Sequence, residues 1–317
     1  MTPAQPNPSY LANGCALGAI ALWGLLAVLG VALQHLPPFL LTGLALVIGS
    51  VWTWPAVLRD RRQWAAPPRL LALGVFTLFG FHFLLFIALR LAPAVEVNLV
   101  NYLWPLLMVL LAPLYLPGLR LSARHLGAAL LGFAGAATAM LGGSTPAFTS
   151  GGAGVAGGAD TAGSSAGWAY LLALASALIW ANFSLQTKRA AARGAPFPTA
   201  AIGLFGLLSG LLALLSHALL EPPTTLSTRD WLLVALMGLG PLGAAFLLWG
   251  KALALGDARQ IGILSYLTPL LSTAALVVFS NRPMTWSIGL AALMITSAAL
   301  LGARAAAQPQ AAGPATQ

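Results

Sequence analysis

Asn98-Leu99-Val100-Asn101-Tyr102-Leu103-Trp104-Pro105 lies inside a long apolar run. Polar side chains are costly in such a run, and those that persist there serve packing or function. On a helix, Asn98, Asn101, Tyr102 and Pro105 stand at i, i+3, i+4 and i+7 and share one face. A weaker copy with the same spacing, Gly262, Ser265, Tyr266 and Pro269, follows 164 residues later. Two such stripes at matching positions in two halves of a membrane chain are expected to face one central substrate path.

Working outward, the chain is too apolar for a soluble domain. Hydrophobic residues make up 59% of its 317 positions and charged residues 7%. Runs long enough to cross ~30 Å of hydrocarbon recur along it. Ten spans are read at about 11–34, 38–58, 69–91, 93–117, 121–143, 167–188, 197–220, 230–254, 258–280 and 284–304, many bounded by prolines. The opening Met-Thr-Pro-Ala-Gln-Pro has no basic residue and does not resemble a cleaved signal, so the first run is read as a retained helix. The fold expected is all-α and integral to the membrane. The lipid bilayer is its surroundings.

With the N-terminus cytoplasmic, the inner loops and tail hold 12 of the 15 basic residues, leaving Arg90, Arg229 and Arg282 outside. This positive-inside bias makes both termini cytoplasmic. It also accounts for the net charge of +9 without nucleic acid. The Gly/Ser/Ala-rich segment 144–166 reads as an external linker dividing the spans five and five. An odd number per half inverts the second half in the membrane. The organisation expected is a first five-helix repeat at 1–143, the linker 144–166, a second repeat at 167–304 and a disordered cytoplasmic tail at 305–317. Residues 88–107 and 252–271 align without gaps and are identical at nine of twenty positions, among them Ala94/Ala258, Tyr102/Tyr266 and Pro105/Pro269. A fainter echo sets Ala21-Leu22-Trp23-Gly24 against Leu178-Ile179-Trp180-Ala181.

These features resemble the drug/metabolite transporter superfamily, and the halves are similar to its EamA-type repeats. Asn101-Tyr102-Leu103-Trp104-Pro105 with His82 and Trp180 resembles the bacterial aromatic amino acid exporters within it. The superfamily resemblance covers about residues 11–304, and the subfamily resemblance rests on these short motifs. It implies a bacterial inner-membrane exporter of aromatic and related neutral amino acids, without fixing the substrate.

The residues themselves suggest how. Proline lacks an N–H and clashes with the carbonyl four residues back. Pro105 and Pro269 therefore release the carbonyls of Asn101 and Ser265, which must line a wet cavity or find other partners. Freed carbonyls and amide side chains suit a zwitterion. Asn98 and Asn101 are read either as cavity lining or as hydrogen-bonding glue between helices. Tyr102, Tyr266 and Trp104 offer ring faces. His82, in Phe79-Gly80-Phe81-His82-Phe83, is read as a substrate contact, a proton carrier or a neutral structural histidine. Trp23 and Trp180 lie mid-span, where interfacial anchoring does not explain them; packing or stacking on a substrate ring does. Arg90 and Glu96 flank an outer turn as a gate ion pair or as a solvated loop pair. Lys251, Asp257 and Arg259 are read as topology determinants, and Gly14-x-x-x-Gly18 and Gly206-x-x-x-Gly210 as helix-packing signals.

Cys15 is the single cysteine, and the sequence has no Walker A motif and no His-Glu-x-x-His. No nucleotide, metal or other cofactor is expected, nor enzymatic activity. A secondary transporter working by alternating access is the reading that remains, with downhill export favoured over proton antiport because mid-span carboxylates are scarce. Its rivals are an exporter of other metabolites or drug cations, an intramembrane enzyme and an assembly protein.

Overall fold

The computed structural model describes residues 8–64, 66–142, 164–280 and 286–306. The linker and tail expected at 144–166 and 305–317 lie almost wholly outside them. Every regular element among the described residues is helical. Nine helical runs are long and apolar enough to cross a membrane: Ser9–Ala32, Pro38–Arg59, Pro68–Leu91, Ala94–Tyr115, Gly167–Ala192, Thr199–Leu220, Thr228–Leu255, Ala258–Phe279 and Trp286–Ala305. A further helix, Ala123–Gly142, falls outside that set; Arg124 and His125 in its first turn lower its hydropathy. Numbered in chain order, with this helix counted fifth, these ten helical runs are labelled spans one to ten below, a label of order along the chain alone.

Five of the spans are interrupted, span two by a 3₁₀ turn at Val51–Thr53 and four others as follows. Span four divides into Ala94–Asn101 and Trp104–Tyr115, and span nine into Ala258–Leu264 and Leu267–Ser280. Pro105 and Pro269 sit just past these breaks, and the missing i→i−4 bond explains them. The chain tightens there into three-residue turns, Leu103 N–H to the Val100 carbonyl at 3.1 Å and Tyr266 N–H to the Ile263 carbonyl at 3.2 Å. Span eight widens into a π turn at Gly240–Ala244 around Pro241. Span one breaks at Leu25, next to Gly24, where an added Cβ would stand 3.0 Å from Leu271 Cβ.

Contacts between the two halves come in matched sets. Span one packs on spans eight and nine, span six on spans three and four, span two on span seven, and span five on span ten. Glycine makes the contact of spans two and seven possible. A Cβ on Gly43 would stand 3.0 Å from the Gly210 carbonyl oxygen, and one on Gly210 would stand 2.8 Å from that of Gly43. The expected packing role thus holds for Gly210. Gly14, by contrast, has open space where its Cβ would be; an exposed glycine in an apolar helix gives the same sequence signal as a buried one.

Ionic groups gather at helix ends. The Glu221 carboxylate is 1% exposed. It accepts the N–H groups of Phe39 and Leu40 at 3.1 and 3.2 Å, at the start of Pro38–Ser50, where Pro37 and Pro38 offer no side-chain cap. Arg90 meets the same carboxylate at 3.2 Å and His217 Nδ1 at 3.0 Å. The Arg90–Glu96 pair weighed from sequence is therefore not formed. Arg90 is held by Glu221, and Glu96 accepts a hydrogen bond from the Tyr170 hydroxyl. At another turn, Arg259 grips Asp257 at 2.6 Å and donates to the Arg120 carbonyl at 2.7 Å, tying the turn before span nine to the segment before span five. Burial opposes ionisation of Asp257, but its bonds from Arg259 prevail and hold its carboxyl below the usual carboxylate range.

Two outcomes are expected. Gly210→Ala forces a methyl into the Gly43 backbone and lowers stability by about 1–3 kcal/mol, whereas Gly14→Ala gains or loses less than about 1 kcal/mol; thermal unfolding in detergent compares them. Glu221→Ala orphans two buried N–H groups and strands Arg90, lowering the melting temperature by an amount equivalent to about 2–4 kcal/mol, while Glu96→Ala costs under about 1 kcal/mol.

Candidate functional site

The helix breaks surround a cavity of about 110 Å³. Span four contributes Asn98, Asn101, Tyr102 and Trp104 to its wall, and span three Phe81, His82 and Leu85. Span one adds Trp23, Leu26 and Ala27, span six Trp180, span eight Leu242 and Phe246, and span nine Thr268 and Ser272. Among these described lining residues there is no Lys, Arg, Asp or Glu. The wall joins an aromatic box to an uncharged polar edge.

The box is built around Trp180. Its ring centroid lies 5.8 Å from Trp23, 5.6 Å from Phe81, 6.4 Å from Trp104 and 5.6 Å from Phe246, in tilted or edge-to-face arrangements. These separations suit the ring quadrupoles. Trp249 stands behind, 5.1 Å from Trp23 and 5.6 Å from Trp104. The indoles are fixed from outside the box. Trp23 Nε1–H donates to the Pro241 carbonyl in the π turn at 3.1 Å, and Trp249 Nε1–H to Ser184 Oγ at 3.1 Å. A buried indole N–H needs such a partner, and the widened turn around Pro241 supplies one.

The polar edge is also anchored. The Leu78 carbonyl can only accept, so its 2.6 Å contact with His82 Nδ1 places a proton on that nitrogen. In the neutral ring, Nε2 is then an acceptor. Asn98 Nδ2 donates to the Ala94 carbonyl at 2.9 Å, one turn back. Asn101 Oδ1 accepts from Ser176 Oγ at 3.2 Å, and the same hydroxyl lies 3.1 Å from the Phe81 carbonyl. Asn101 thus couples span four to spans six and three, and the structural and lining readings weighed for it both describe its position.

Of the residues singled out from sequence, Trp23, His82, Asn98, Asn101, Tyr102, Trp104 and Trp180 converge on this cavity. The others do not. Phe79 is not among the lining residues and pairs with Phe83 at 5.3 Å, one turn on. Pro105 and Pro269 create the breaks without lining the cavity. Ser265 is buried, its hydroxyl turned back to the Gly262 carbonyl at 2.6 Å. Tyr266 is buried against Phe133, Ala136 and Ile295, and an added Cβ on Gly132 would clash with its ring. Arg90 and Glu96 lie outside the lining, each with the partner described above. A continuous helix would put the span-nine stripe on one face, but the break between Leu264 and Leu267 resets the helical phase. Thr268 and Ser272, one turn apart, take the cavity face instead.

Leu26, Ala27, Phe81, Leu85, Leu242, Phe246, Thr268 and Ser272 were not anticipated. A signal existed for two of them. Adding the 164-residue repeat offset to His82 and Trp104 gives Phe246 and Thr268. The others carry no mark distinguishing them from ordinary apolar or hydroxyl residues.

The EamA-like transporter family matches residues 11–141 and 167–303. A protein of Ancylobacter novellus named aromatic amino acid exporter YddG is 36% identical over 294 residues, covering 89% of this chain and 93% of that one. The Escherichia coli protein of the same name is 28% identical over 208 residues, 66% of either chain. A solved crystal structure 36% identical in sequence superposes with a TM-score of 0.82, covering 94% of this chain and 98% of its own. The multi-pass helical architecture and these matches make the protein a transporter rather than an enzyme, and the chain belongs to the EamA-like transporter family.

Proposed function

We propose that the protein exports aromatic and related neutral amino acids across the bacterial inner membrane. The observation that carries this reading is the cavity itself: an aromatic box around Trp180 continuous with an edge of amide, hydroxyl and imidazole groups and no full charge. The box offers ring faces to an aromatic side chain, and the edge offers donors and acceptors to an ammonium and a carboxylate. A drug cation would be better served by a carboxylate in the wall. The names of the relatives point the same way.

The architecture that goes with this reading is ten spans in two inverted five-helix repeats, 1–143 and 167–304, joined by an external linker. Both termini are cytoplasmic. The matched contacts of spans one and six, and the pairing of span two with seven and five with ten, support a two-fold relation of the halves. The basic residues support the orientation. The substrate sits near the midplane at the two proline breaks. Rocking of the halves about it opens the site alternately to either side, with the glycine contact of spans two and seven a rigid element of the movement. Substrate gradients drive export: among the described lining residues no carboxylate is present to carry a proton, and His82 serves as a substrate contact.

Proteoliposomes containing the purified protein should take up labelled phenylalanine saturably. Excess unlabelled tryptophan should compete and lysine should not, and an imposed pH gradient should leave the rate unchanged. Absence of uptake would remove the amino acid reading, and gradient-dependent uptake would remove the facilitated one. Trp180→Ala should raise KM for phenylalanine by about tenfold or more, the loss of one stacking face and its burial. Trp168→Ala, at an exposed aromatic outside the cavity, should leave KM within about twofold.

A further inference from the structure

We propose that the Thr268 hydroxyl receives the substrate carboxylate, while the edge formed by Asn101 and His82 receives its ammonium group. This rests on the amino acid reading above and extends it by assigning the two charged ends of the substrate to two different helix breaks.

Thr268 is 7% exposed, lines the cavity, and its Oγ1 is buried without a hydrogen-bond partner. Four hydroxyls elsewhere in the spans avoid that state by bonding the carbonyl four residues back, Thr138 to Ala134, Thr187 to Phe183, Ser216 to Leu212 and Thr273 to Pro269, whereas Thr77, away from the cavity, shares it. For Thr268 the residue four back is Leu264, the last of the preceding half-helix. The break at Ser265 and Tyr266 denies Thr268 that bond. Its hydroxyl is therefore left to a ligand at a wall of the cavity. Threonine divides between two side-chain rotamers in helices, so rotation about χ1 suffices to present it.

The electrostatics give the sign. Thr268 lies in the first turn of Leu267–Ser280, the positive end of a 14-residue helix. No Lys or Arg is among the described lining residues, so a carboxylate entering the cavity must be met by dipoles and hydroxyls. Span four brings both helix ends to its break, and its acceptors lie at the negative one. Ala94–Asn101 ends at the cavity with its C-terminus, the negative end. Pro105 supplies no N–H to the Asn101 carbonyl, whereas in span nine the corresponding Ser265 carbonyl is taken by Thr268 N–H at 3.0 Å. The acceptor Nε2 of His82 belongs to the same edge. One break thus offers acceptors and the other a donor, in keeping with the two ends of a zwitterion. Sequence similarity between the halves hides this polarity, because the repeat mate of Thr268 is Trp104.

The test uses proteoliposome uptake of labelled phenylalanine, with phenethylamine (no carboxylate) and 3-phenylpropionate (no ammonium) as competitors. Thr268→Val keeps the shape and removes the hydroxyl. It should raise KM for phenylalanine and weaken inhibition by 3-phenylpropionate about tenfold each, while inhibition by phenethylamine stays within about twofold. Thr268→Ser should behave as the parent. Thr77→Val removes another buried hydroxyl without a partner, one outside the cavity lining, and should change none of these values. Should Thr268→Val not yield folded protein, Thr268→Ala carries the same expectation. Equal weakening of phenylalanine and phenethylamine, or an unchanged KM, would overturn the assignment while parent uptake upholds the amino acid reading. A parent protein that takes up no amino acid would overturn both.

Discussion

A backbone carbonyl that loses its N–H partner inside hydrocarbon must recover one or border a polar cavity. Prolines impose that condition on this chain in spans four, eight and nine, and the site is organised by how each loss is met. In span eight the π turn around Pro241 puts the Pro241 carbonyl where it accepts the indole N–H of Trp23. In span nine the Ser265 carbonyl is recovered locally by Thr268 N–H. In span four the break opens beside the cavity, with Asn98, Asn101 and Tyr102 around it. Three prolines thus do different work: one orients an aromatic wall, one turns a helix, and one makes a polar edge.

The aromatic box depends on that arrangement. Indole rings provide large apolar faces at low conformational cost, but each carries an N–H that is expensive to bury alone. Trp23 and Trp249 have theirs satisfied by the π turn and by Ser184, outside the box. Their ring faces are then free to pack against Trp180, Trp104 and Phe246. Rigid walls of this kind keep a cavity open in a bundle that would otherwise close on itself. The bundle is held elsewhere: by the glycine-to-carbonyl contact of spans two and seven, and by Glu221, which joins Arg90, His217 and the start of Pro38–Ser50.

Much of the fold was legible because membrane sequences declare it. Apolar runs, prolines at boundaries and a 164-residue echo depend on composition and spacing alone. The polar stripe of span four was legible for the same reason, since Asn and Tyr in hydrocarbon are conspicuous. Thr268 was not, because a lone threonine in a helix ordinarily satisfies itself on the carbonyl four residues back. Glu221 was passed over because a carboxylate beside Pro222-Pro223 at a span end looks solvated. Its burial follows from Pro38–Ser50 arriving with its first N–H groups uncapped.

Residue types and spacing make the chain legible as a multi-pass helical membrane protein of two related halves, with prolines in spans four and nine and aromatic and amide residues held mid-span. Those properties follow from residue chemistry and helical period. Tertiary structure alone decided which faces meet. Tyr266 matches Tyr102 in sequence, yet it is buried beside Gly132, while Phe246 and Thr268 take cavity positions. Arg90 found Glu221 rather than Glu96. The reason is physical: a helix break resets the phase from which faces are read, and pairing across the bundle depends on distances that spacing along the chain does not encode.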